Sequence, residues 1–176
     1  MGPANVIEIR DVRFRWSPGD PWVLDLPELV IRRGEHVFLA GPSGCGKSSL
    51  LSLIAGIAVA QAGEVGVLGR SVAGLAGAAR DRFRADHLGI VFQLFNLLPY
   101  LSVLENVTLA CRFSPRRRAR VEARGGPPAE ARRLLGELGL ADPGLLERKA
   151  TALSVGQQQR VAAARALLGA PELVIA

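Results

Sequence analysis

The sequence predicts an α/β fold, with strands and helices layered around an apolar core. Two observations carry that expectation. Apolar runs of four or five residues at 37–40 and 88–92 have the length of buried strands, and helical patterns separate them. Gly41, Pro42, Ser43, Gly44, Cys45, Gly46, Lys47 and Ser48 follow the first run and open a helical pattern, which gives the order strand, glycine-rich loop, helix.

The elements follow in order. Residues 6–12 alternate apolar and polar side chains, as a half-buried strand does. Residues 17–21 carry two prolines and a glycine and read as a turn, and 29–31 as a second short strand. Arg33, Gly34 and Glu35 turn the chain into the buried strand predicted at 37–40. Residues 47–55 read as a helix whose buried face is Leu50, Leu53 and Ile54. Residues 65–68 read as a strand, 72–85 as a helix weakened by Gly74 and Gly77, and 88–92 as a second buried strand. From 96 to 140 the pattern is helical and more polar, which marks an inserted α-helical subdomain over about 95–150. Gly125, Gly126, Pro127 and Pro128 break it in two. A helix follows to about Leu168, and Ser154 with Gln157 three residues on matches a capping box. Gly169 and Pro171 end it, and 173–175 read as a last buried strand.

Composition narrows the class. A chain of 176 residues with 49% apolar content suits one domain with a real core. Two cysteines, Cys45 and Cys111, make no disulfide framework, and an intracellular setting is the simpler reading. The first five residues lack the basic-then-apolar pattern of a leader. The uncharged stretch 48–63 is short for a membrane span and is interrupted by Gly56. The net charge is +6, with eight arginines between residues 112 and 133 against Glu122 and Glu130. That run lacks the series of aromatics that builds stacking platforms, so a solvated helical face is expected rather than direct contact with nucleic acid.

The glycine-rich loop carries the chemistry. Successive backbone N–H groups in such a turn make a concave donor site for a polyphosphate, and the following helix adds its free N-terminal donors. Gly41, Gly44 and Gly46 permit close backbone approach. Lys47 reaches the β and γ phosphates, and Ser48 offers its hydroxyl to Mg²⁺, with Ser49 a weaker candidate. A nucleoside triphosphate is the predicted ligand.

A second motif refines this. Leu153, Ser154, Val155, Gly156 and Gln157, followed by Gln158, Gln159 and Arg160, together with the loop, resemble the nucleotide-binding domain of ATP-binding cassette (ABC) transporters. Residues 89–99 and Glu105, Asn106 and Val107 look most like the subgroup of lipoprotein-releasing and macrolide-type exporters. The resemblance implies a P-loop NTPase core with an N-terminal antiparallel β subdomain and the inserted helical subdomain. It implies that ATP and Mg²⁺ are bound, with Gln93 near the metal and the attacking water and Trp16 stacked on adenine; Trp22 reads as packing. Ser154, Gly156 and Gln157 would touch the γ-phosphate held by a second, head-to-tail copy. A permease would be the membrane partner, and the cytoplasmic face of a bacterial inner membrane the location.

Two departures from the family pattern stand out. Val155 replaces a glycine, and its branched Cβ is expected to impair closure or turnover. Residues 173–175 look like the strand leading to the Walker B aspartate and catalytic glutamate, which fall beyond Ala176. The fold is therefore expected to be C-terminally incomplete, and the 176-residue species to bind nucleotide weakly and hydrolyse it slowly. His36 and His87 lie too early to act as the family's γ-phosphate histidine. A small-molecule kinase, a soluble cassette acting on nucleic acid or ribosomes, and a catalytically deficient remnant are the other readings.

Overall fold

The computed structural model describes residues 4–176, so residues 1–3, part of the segment on which the leader reading rests, lie outside it. The chain divides into two compact units, residues 1–81 and 82–176.

In the first unit, β1 (Asn5–Phe14) is the central strand of an antiparallel sheet. It pairs with β2 (Leu24–Arg32) on one side and β3 (Ala62–Val67) on the other. The two-residue β4 (Arg70–Ser71) completes the order β2-β1-β3-β4. Ile9, opposite Leu29 and Val65, is fully buried, as the alternation expects, and Val12, of opposite parity, is buried as well because the strand is irregular between Arg10 and Arg13. β1 bulges between Arg10 and Arg13, and Gly63 sits against the bulge with φ +79. A Cβ at Gly63 would collide with the carbonyl oxygens of Arg10 and Asp11, so only glycine fits. α1 (Lys47–Ile54) buries Leu50, Leu53 and Ile54, the expected face.

The run at 37–40 departs from its prediction. It forms no strand, and Val37 and Phe38 are exposed, Phe38 at 91%. An apolar run becomes a buried strand only where another strand offers it a free edge, and it joins neither edge of the four-stranded sheet. The helix expected at 72–85 starts later, as α2 (Gly77–His87), which crosses the boundary between the units. Val72 is instead drawn into the first unit's core, its N–H bonded to Val65 O.

In the second unit, β5 (Leu88–Ile90) and β6 (Leu173–Ile175) form a parallel pair. Gly89 lies so close to the backbone of Ala166 that a Cβ there would strike its carbonyl oxygen. The helices are α3 (Val103–Phe113), α4 (Pro115–Glu122), α5 (Pro127–Glu137), the single turn α6 (Pro143–Leu146) and α7 (Val155–Leu167). The expected break at 125–128 falls between α4 and α5, where Pro127 and Pro128 start α5. A second break comes from Ser114, which caps α4 by accepting from Arg117 N. Val103, Val107, Val121, Leu135, Val161 and Leu168 form the shared helical core. Among the described residues no helix is long and apolar enough to cross a membrane.

Most of the arginine run is exposed, as the composition implies, but part of it turns inward. Arg117 is buried, and Arg116 and Arg120 converge on Glu172 at 2.9 and 2.6 Å. Arg118 pairs with Glu122, and Arg124 and Arg133 enclose the buried Glu130. Much of the charge is thus matched within the unit. Burial raises the Glu172 carboxyl, but Arg120, Arg116 and the nearby His87 outweigh it and hold the group at about 2. A folded value below the unfolded one contributes stability above the unfolded pKa of about 4.3, and that contribution is lost as the pH falls toward about 2. Denaturant titrations from pH 6 to 2 are expected to show the protein more stable than Glu172→Gln by up to about 3 kcal/mol at the upper end, the gap closing at the lower. A gap independent of pH would mean that the carboxylate charge is not what Arg116 and Arg120 hold.

Candidate nucleotide site

The glycine-rich loop is built by three backbone constraints. Gly41, Gly44 and Gly46 have φ of +155, +82 and +93. Gly46 caps α1 in the left-handed conformation, and a Cβ on it would meet Leu24 Cδ2 at 2.7 Å and Val23 O at 2.9 Å. A Cβ on Gly41 would meet Cys45 Sγ at 2.7 Å. The loop therefore closes on itself and on the start of β2, and its geometry excludes side chains there.

Lys47, the first residue of α1, folds back over this loop. Its ammonium donates to Gly41 O at 2.7 Å and Pro42 O at 2.8 Å and lies 3.6 Å from Cys45 Sγ. A cation is thus fixed over the loop beside an open helix N-terminus, the charge arrangement that an oxyanion cluster requires. Gly41 through Cys45 are exposed; Ser48 is exposed as well, whereas Ser49 turns into the core beside Leu50. An Mg²⁺ bound through phosphates needs few protein ligands and keeps several waters. Ser48, exposed at the start of α1, carries a hydroxyl of the kind such a site uses. Among the described residues no cluster of three or more His, Cys, Asp or Glu is poised to hold a metal.

The β1–β2 hairpin tip reaches the same end of the sheet. Val23 N bonds to Phe14 O at 2.8 Å, and Val23 O faces Gly46. Trp16 on that tip is 59% exposed and rests edge-on against Phe14. Much of its indole is therefore open to solvent. Trp22 is exposed too, with the Arg15 guanidinium 4.5 Å from its ring centre, which corrects its reading as packing.

In the second unit, Ser154 caps α7 and completes the expected capping box. Its hydroxyl accepts from Gln157 N at 3.3 Å, and Gln157 Oε1 accepts from Ser154 N at 2.9 Å. Both side chains are occupied locally, while Gly156 has open space where a Cβ would be. Val155 is the first helical residue, exposed and without positive φ, so valine suits the backbone here and only its outward bulk distinguishes it from glycine. Gln93 is exposed in a turn after β5, and among the described residues nothing hydrogen-bonds its carboxamide. His36 is exposed, and His87 packs on Phe83 with Nδ1 3.3 Å from Glu172.

Sequence reasoning missed two residues that shape this region. Asn106 is fully buried and holds the segment after Gln93, accepting from Leu98 N and donating to the carbonyls of Leu98, Leu101 and Ser102. Arg165, in the last turn of α7, donates to Phe95 O and Asn96 O. An arginine set among alanines in the second half of a helix was the available signal for Arg165.

Fold and loop together define a phosphate-loop nucleotide-binding protein of the α/β class. The model of the ABC transporter family matches residues 24–176. The chain is 39% identical to the uncharacterized ABC transporter ATP-binding protein YbbA of Escherichia coli K12, covering 100% of this chain and 75% of that protein. It is 41% identical to the lipoprotein-releasing system ATP-binding protein LolD of Chromohalobacter salexigens, over 92% of this chain and 65% of LolD. A dimeric post-hydrolysis structure of the ATP-binding cassette MJ0796, bound to ADP and Pi, superposes with a TM-score of 0.84 at 34% identity, covering 96% of this chain and 72% of that one. The chain belongs to the ABC transporter family, and its core is the P-loop NTPase fold of the ATP-binding cassettes.

Proposed function

We propose that this protein binds Mg-ATP at Gly41, Pro42, Ser43, Gly44, Cys45, Gly46, Lys47 and Ser48 and hydrolyses it to drive an exporter of the lipoprotein-releasing or macrolide type. The observation that carries this reading is the Cβ-excluding loop at the start of α1 with the Lys47 ammonium fixed over it. The bound triphosphate supplies the anhydride that is broken. The loop amides and Lys47 bind and orient it, Ser48 and Gln93 serve the metal, Gln93 also orients water, and Trp16 takes the base.

The capped N-terminus of α7, with Ser154, Gly156 and Gln157, is the surface offered to the nucleotide of a second copy in a head-to-tail homodimer. A permease is the membrane partner, which places the protein on the cytoplasmic face of a bacterial inner membrane. Direct contact with nucleic acid is not part of this reading, since ion pairs take up much of the arginine charge.

Sedimentation of the full-length protein with and without Mg-ATP tests the reading. A nucleotide-dependent shift from monomer to dimer is expected, and neither binding nor shift would defeat it. Val155→Gly removes the outward bulk at the tip of α7 and is expected to tighten ATP-driven dimerisation roughly fivefold, equivalent to about 1 kcal/mol. An unchanged dimer constant would show that the valine does not hinder closure.

A further inference from the structure

Gln93 sits between two fixed points. Before it, Val91 N bonds to Ile175 O at 2.9 Å and ties the end of β5 to β6. After it, Phe95 and Asn96 adopt φ of +58 and +48, a conformation that side chains other than glycine rarely hold without support. The support comes from α7. Arg165 donates through Nη1 to Asn96 O and through Nη2 to Phe95 O, both at 2.6 Å. Two successive carbonyls converge on one guanidinium because the left-handed turn directs them to the same side. A planar fork of donors matches that arrangement, and an ammonium does not.

Among the described residues no carboxylate pairs with Arg165, and burial lowers the pKa of its guanidinium. An unpaired, half-buried cation is costly unless its donors are used, and here they are used on this turn.

We propose that Arg165 is the positioning residue for Gln93, fastening the turn that carries the glutamine to the same helix whose N-terminus presents Ser154 and Gly156. The proposal rests on the ATPase reading above. α7 then links the two ends: a displacement of its N-terminus on meeting a second copy reaches Gln93 through Arg165, without any contact between Arg165 and nucleotide.

The test uses the full-length protein, with Arg165→Lys as the mild variant and Arg165→Gln as the second should the first unfold. Amide hydrogen exchange over residues 94–98, measured without nucleotide, is expected to accelerate about tenfold in Arg165→Lys while exchange in α3 stays unchanged. Its kcat for ATP is expected to fall about tenfold with little change in KM, the pattern of a misplaced group rather than lost binding. The double variant Gln93→Ala/Arg165→Lys is expected to be no slower than Gln93→Ala alone. Unchanged exchange at 94–98, or losses that multiply in the double variant, overturns the positioning role and leaves the ATPase reading intact. Absence of hydrolysis in the unsubstituted full-length protein overturns both.

Discussion

Lys47→Ala is expected to lower kcat/KM for ATP at least about 100-fold, by removing a charge placed where the transferred phosphoryl group develops its own. The geometry separates that loss from damage to the fold. The ammonium donates to Gly41 O, Pro42 O and Cys45 Sγ, all on an exposed loop where water replaces it, and it makes no ion pair among the described residues. The unliganded thermal midpoint should therefore stay within a few degrees of the unsubstituted protein, while the midpoint rise produced by saturating Mg-ATP disappears. Calorimetry with and without nucleotide reads both quantities. A variant that keeps the nucleotide-induced rise would show that the loop amides bind the phosphates unaided and would confine Lys47 to the chemical step.

Arg117→Met is expected to destabilise the protein by about 3 kcal/mol, because it orphans acceptors in the interior rather than trimming a surface charge. The Arg117 guanidinium donates to Ala166 O at 3.3 Å, to Leu168 O at 3.1 Å and to Leu88 O. The first two carbonyls lie at the C-terminal end of α7, whose last acceptors have no partner within the helix, and the third belongs to β5. Arg117 thus joins α4, α7 and the parallel strand pair. Gly169 packs against it so closely that a Cβ there would lie 2.6 Å from Arg117 Cβ. Methionine keeps much of the volume and supplies no donor. Urea unfolding should give a lower midpoint with the slope unchanged. A loss below about 1 kcal/mol would mean that water reaches those three carbonyls in the variant.

The residues legible beforehand share one property: their structural reason lies within a few positions along the chain. The loop from Gly41 to Ser48, the capping box of Ser154 and Gln157, the apolar face of α1 and the alternation in β1 are each specified by near neighbours, and each is present. The misreadings share the opposite property. The run at 37–40 has strand composition, but pairing requires an edge supplied from elsewhere. The arginine run reads as a solvated face, which most of it is, but that reading leaves out Glu172, some fifty residues away and placed beside Arg116 and Arg120. Arg165 drew no reading at all, because its partners at 95 and 96 lie about seventy positions earlier.

The glycine-rich loop was therefore a matter of local chemistry: glycines that tolerate left-handed turns, a lysine at the first helical position and a serine after it. Which cations became surface charge and which became interior scaffolding was decided by folding, since burial brings distant backbone carbonyls and carboxylates within hydrogen-bond distance of a guanidinium and no stretch of neighbouring residues encodes that distance.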